Sequence, residues 1–229
     1  MIFPSVMAWL YFVAAAPGPS AESEQRPIMQ VLYVVGKVIQ FALPVVCWTL
    51  TDPRRLVPST PNRRGWWPAA LFGAGSAAGI VATYFGLLKG HALLAEVPEQ
   101  VLHKVTELGI AAQLSYIAFA VLLCLVHSLL EEYYWRGFAF DGLRRWLPLR
   151  AAVIISSLAF ASHHVIVLNV YTSGRWWTGT LPLALGVMVG GAVWALIYRR
   201  SGSIYSCWLS HALVDAGIMI VGYDMVFNT

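Results

Sequence analysis

Charge is what this sequence has least of. Asp, Glu, Lys and Arg make up 11% of its 229 residues, against 59% hydrophobic. Helices of that composition are apolar on every face, which excludes an ordinary soluble domain and makes lipid the solvent for much of the chain. The basic residues that give the net charge of +4 lie in short segments between apolar runs and form no long stripe, so no nucleic-acid partner is expected. Cysteine is equally scarce. Cys47, Cys124 and Cys207 show no paired spacing such as C-x-x-C, which argues against a disulfide framework and leaves three thiols buried within membrane helices. Repeats, low-complexity tracts and any segment resembling a soluble domain are missing too, as is the H-E-x-x-H signature of zinc proteases.

What the chain has in abundance is long apolar runs. A crossing takes about 20 mostly apolar residues, and in those units the spans fall near 1–16, 28–50, 66–88, 110–132, 151–172, 181–198 and 203–227. The fold class that follows is all-α: a polytopic transmembrane helical bundle of about seven spans in one domain, 1–229, because the segments are too long and continuous for barrel strands. The first span is short, and Ala14-Ala15-Ala16 before Pro17 has the small residues of a signal-peptide cleavage site, which would leave six spans. No positive residue precedes its apolar run, and that favours a retained helix.

Loop charge sets the orientation expected. Lys and Arg gather on the cytoplasmic side, and the second, fourth and sixth loops hold ten of them, Arg136 counted in the fourth, against four in the odd loops. This predicts a cytoplasmic N-terminus in a cell (inner) membrane. The segment KGHALLAEVPEQVLHKVTELG, residues 89–109, mixes apolar and charged residues at helical spacing, as in a helix lying along the external surface.

An ionisable side chain in hydrocarbon costs several kcal/mol and marks a functional site. The candidates are Lys37, His127, Glu131, Glu132, His163, His164, His211 and Asp215. Lys37 has no carboxylate at helical spacing, so it reads as a snorkelling or interfacial side chain. In LLEEYYWRGFAF the adjacent glutamates differ by about 100° around a helix, so Glu132 can pair with Arg136 while Glu131 falls on the stripe of His127. One carboxylate is then structural and the other chemical. Phe160 and His164, and likewise His211 and Asp215, lie four apart on single helical faces. Three helices carrying Glu, His and His into the membrane are expected to converge on one hydrated site.

These motifs, in this order, resemble the CPBP or Abi family of intramembrane proteases, which includes the Rce1-like type II CAAX prenyl endopeptidases. That family shows E-E-x-x-x-R, F-x-x-x-H and H-x-x-x-N, and here stand Glu131-Glu132 with Arg136, Phe160 with His164, and His211 with Asp215. The resemblance covers about 110–220, which would be the catalytic core. It implies a glutamic-type endopeptidase without cofactor or metal, acting on a membrane-anchored protein or peptide. Glu131 and His164 would activate water, His211 would donate to the oxyanion, and Glu132, Arg136 and Phe160 would support the site. His163, about 100° around the helix from His164, would pack beside the site or support it from behind. Asp215 departs from the usual asparagine: it is either protonated or orients His211, since an ionised carboxylate cannot donate to an oxyanion. Two other readings stay open, a zinc hydrolase using Glu131, His164 and His211 and a non-catalytic immunity or scaffold partner.

Overall fold

In a computed structural model the protein is described over residues 1–14, 22–53, 59–61 and 63–228, with backbone alone at 22–30 and 33. No strand occurs among the described residues. The helices are α1 (Phe3–Ala14), α2 (Glu22–Thr51), α3 (Trp66–Leu88), α4 (Val97–Glu107), α5 (Gln113–Arg144), α6 (Leu149–Tyr171), α7 (Trp176–Ser201) and α8 (Ile204–Phe227). Six of them, α2, α3 and α5 to α8, are long and apolar enough to cross a membrane. Leu50, Leu71, Leu87 and Leu114 stand bare on their outer faces. Such exposure would be costly in water and costs nothing in hydrocarbon. The chain is an integral membrane protein built as a helical bundle.

Two expectations change. The first span is a shorter helix, since α1 runs from Phe3 to Ala14 and at 1.5 Å per residue reaches roughly 18 Å, short of the hydrocarbon thickness of about 30 Å. Residues 15–21, which include the rest of the small-residue stretch, lie outside the described residues. α1 docks on α6, where Ser5 Oγ lies 2.7 Å from Ser162 Oγ.

The second change concerns the fourth loop. The span expected to stop at residue 132 continues as wide π turns over Tyr133–Phe140 and ends at Arg144. Arg136 therefore belongs to the helix interior and leaves the loop count. The expectation ended the span at its first run of charges because lipid would reject them. Inside the bundle, neighbouring helices cover them instead.

The centre of the bundle rests on close crossings. α3 runs along α8, where a Cβ added at Gly73 would lie 2.7 Å from the Ser210 carbonyl oxygen and one at Gly217 would lie 2.8 Å from Ala77 Cα. Small residues let backbones approach this closely, the usual device of membrane helices. α6 packs along α7, with Gly191 facing Phe160 and Ser157. On the side away from the fourth and sixth loops, the segment 89–109 contains the helix α4, Val97–Glu107. Arg175 ties the turn before it by donating to Leu93 O at 2.7 Å and pairing with Glu96 at 3.3 Å. Burial lowers the pKa of Lys104, but its hydrogen bond to Glu107 and the nearby Tyr11 oxygen and Glu107 charge together outweigh this, and the ammonium titrates above its ordinary value.

Candidate active site

The site is built on α5, whose backbone leaves the α pattern twice, at Leu123–His127 and again at Tyr133–Phe140. Between these wide turns one regular stretch, Ser128–Glu132, presents both glutamates. The first π turn is held by side chains. Ser128 Oγ donates to Cys124 O, and Trp208 Nε1 on α8 donates to Leu125 O at 2.9 Å. Such turns loosen the helical ladder and concentrate at functional positions.

Glu132 and Arg136 form the expected one-turn ion pair, with Nη1 to Oε1 at 3.0 Å and side chains 0% and 2% exposed. The same Oε1 also meets His211 Nδ1 at 2.8 Å. Arg136 Nη2 donates to Gly191 O at 3.3 Å, and its guanidinium lies 4.7 Å from the Phe160 ring centroid and 5.0 Å from that of Trp194. Trp194 in turn stacks on His211, centroids 4.2 Å apart, and donates from Nε1 to Ser210 Oγ. One buried network thus joins α5, α6, α7 and α8.

Glu131 faces the other way, as its stripe predicted. Its Oε1 lies 3.4 Å from His127 Nε2 and 3.8 Å from His163 Nε2, and its Oε2 lies 4.0 Å from His211 Nε2. Asp215 Oδ1 stands 3.6 Å from that same His211 nitrogen. His164 contacts the Phe160 carbonyl through Nδ1 at 3.0 Å. Phe160 is buried at the junction, 4.8 Å from the His164 ring and 6.1 Å from that of His211. All seven residues expected at the site are therefore brought together: Glu131, Glu132, Arg136, Phe160, His164, His211 and Asp215.

The cluster also contains residues assigned elsewhere by the sequence. His163, expected to pack or to support the site, does both: it stacks on Trp135 with an interplanar angle of 2° and its Nε2 lies 3.8 Å from Glu131 Oε1. Lys37 sits 5.6 Å over the Phe41 ring and within electrostatic reach of Glu131, so its carboxylate partner lies on another helix. His127 was visible four residues before Glu131. For Lys37 and Trp194 no sequence spacing gave a signal, because their partners are remote in the chain. The potential metal donors differ as well: among the described residues Glu131, His163 and His164 offer atoms within 4.8 Å of one another, with His163 where the sequence suggested His211.

Fold and site together define a polytopic membrane protein with a buried cluster of carboxylates and imidazoles inside its helical bundle. Residues 113–217 match the model of the Rce1-like family, described as type II CAAX prenyl endopeptidase Rce1-like. The match runs from the first residue of α5 into α8 and spans all three motifs. No curated protein matches the chain, and no solved structure does. The family supports a CAAX-type intramembrane protease activity in general.

Proposed function

We propose that this protein is a glutamic-type intramembrane endopeptidase, which hydrolyses a peptide bond of a membrane-anchored protein or peptide with water activated by Glu131 and His164. The observation that carries the proposal is a buried carboxylate, Glu131, ringed by imidazole nitrogens from its own helix, α6 and α8. We assign the catalytic core to residues 110–220 of a single transmembrane domain. In the tautomer that donates from Nδ1 to Phe160 O, His164 keeps Nε2 as an acceptor for water. Glu131 takes the proton of that water as it attacks the scissile carbonyl, and returns it to the leaving amine.

His211 meets the negative charge that develops on the carbonyl oxygen. Glu132 accepts from its Nδ1–H, which leaves Nε2–H to be shared between Asp215 and the oxyanion. Three carboxylates, Glu131, Glu132 and Asp215, stand against two fixed cations, Arg136 and Lys37, so one charged imidazole balances the cluster. His211 has a carboxylate near each ring nitrogen and is the natural holder of that charge. In this scheme Asp215 orients the donor, which accounts for an acid where the family pattern has an amide.

We assign the site's entrance to the cytoplasmic side of a cell membrane, a reading supported by the remaining excess of Lys and Arg in the even loops. Glu131 lies thirteen residues before the end of α5, about 20 Å along the helix, so the substrate must reach well into the bundle. The test is Glu131→Gln in a comparison of membrane-protein termini from cells with the intact and the altered chain. Loss of a set of cleaved termini in the variant is expected, and termini unchanged by the variant would sink the proposal. A zinc hydrolase is the second reading, favoured by the Glu131, His163 and His164 donors, and abolition of the purified activity by a chelator would select it.

A further inference from the structure

The mechanism leaves His127 unused, yet it makes the shortest contact with the proposed base. Its Nε2 stands 3.4 Å from Glu131 Oε1, compared with 3.8 Å for His163 and 4.0 Å for His211. His127 also closes the π turn Leu123–His127. One extra residue in a helical turn rotates everything after it by about 100° relative to what came before, so this turn sets the direction in which the His127 and Glu131 stripe points. The turn is fastened from outside the helix, since Trp208 of α8 donates to Leu125 O. Finally, the carboxylate oxygens are divided. Oε1 is flanked by His127 and His163, while Oε2 lies on the side of His211, the proposed oxyanion donor.

We infer that His127 is a positioning residue for Glu131: with His163 it holds Oε1 and leaves Oε2, on the His211 side, to take the proton of the attacking water. The inference rests on Glu131 being the general base. Besides His127, the charged and titratable groups around that carboxylate are Lys37 from α2, His163 and His164 from α6, His211 and Asp215 from α8, and the adjacent Glu132 on α5 itself.

The experiment uses the full chain, purified in detergent, with a prenylated CAAX peptide bearing a fluorophore and a quencher as the probe. His127→Ala should lower kcat on the order of 100-fold, the loss typical of a misplaced catalytic group, with KM within about twofold, because the substrate still binds. His127→Gln, which keeps a donor near Oε1, should recover part of it, and Trp208→Phe, which unfastens the turn, should lose less than His127→Ala. Wild-type kcat in His127→Ala would overturn the inference, whereas an active Glu131→Gln enzyme would remove the base assignment beneath it. The second readout needs no turnover. The infrared carboxylate bands of Glu131, assigned by difference against Glu131→Gln, should shift in His127→Ala, and unchanged bands would also overturn the inference.

Discussion

Glu132 on α5 and His211 on α8, 79 positions apart in the chain, meet at 2.8 Å through Oε1 and Nδ1, and Arg136 occupies the same oxygen at 3.0 Å. A carboxylate taken fully out of solvent survives only when paired and hydrogen-bonded. Here the pairing has a second effect: it fixes the ring of His211 so that its other nitrogen faces Glu131 and Asp215. The two adjacent glutamates therefore act on the same histidine from opposite edges, one holding it and the other working beside it.

Glu132→Gln should accordingly be a stability variant. The amide cannot neutralise Arg136, which is buried together with it, and breaking a buried pair costs about 3–5 kcal/mol. Thermal unfolding in detergent should show a clearly lower Tm along with lost activity. Glu131→Gln should keep a Tm near that of the unaltered chain, and equal Tm losses in the two variants would contradict this division of labour.

Trp194 offers a test of the network from a helix that carries none of the three motifs. Its ring covers both His211 and Arg136, and its Nε1–H satisfies the buried Ser210 hydroxyl. Trp194→Phe keeps much of the cover but leaves Ser210 unpaired, at a cost of about 1–3 kcal/mol, whereas Trp194→Ala should cost about 3–5 kcal/mol. Denaturation in detergent should rank the two in that order, with activity falling in the same sequence.

Much of this could be read from the chain because the informative signals are local. Apolar run lengths gave the six span-length helices, and four-residue spacings gave the Glu132–Arg136 pair and the shared stripe of His127 and Glu131. The continuation of α5 to Arg144 was hidden because sequence cannot show that Arg136 is sheltered by Phe160, Trp194 and Gly191, which arrive from later helices. Lys37 was missed for the same reason. Its neighbour across the bundle, Glu131, lies 94 positions further along. That His163 both packs and supports the site was open in the sequence, since a neighbour 100° around a helix leaves the site only if the site is narrow, and here Glu131 lies within reach of both histidines.

The α3–α8 crossing yields a prediction that never touches the cluster. A methyl at Gly73 would collide with the Ser210 carbonyl, while Gly75, two residues on and about 200° around the helix, has open space beside it. Gly73→Ala should therefore force α8 outward by a few tenths of an ångström or more. Because Ser210 precedes His211 directly, the shift displaces the proposed oxyanion donor. Expected are a lower Tm and a fall in kcat on the order of 10- to 100-fold, with displacement of a catalytic group as the cause. Gly75→Ala should match the unaltered chain in both measurements, and equal behaviour of the two variants would reject this account of the crossing.

Asp215→Asn separates the two roles left open for the acid in the last motif. If position 215 donated to the oxyanion, the amide should work at least as well, since it brings two N–H donors and no charge. The geometry points the other way. Asp215 Oδ1 lies 3.6 Å from the His211 nitrogen that also faces Glu131, as an acceptor orienting a donor would. The amide keeps the shape and one acceptor oxygen but removes a charge from beside the imidazole, so the ring is held less firmly in its charged form. Turnover should fall about 10-fold, less than the 100- to 1000-fold that removal of an oxyanion donor itself costs, and His211→Ala should show that larger loss. Because the side chains are isosteric, Tm should change little. Measured turnover in Asp215→Asn equal to or above that of the unaltered chain would assign position 215 to the oxyanion and leave Glu132 alone to orient His211.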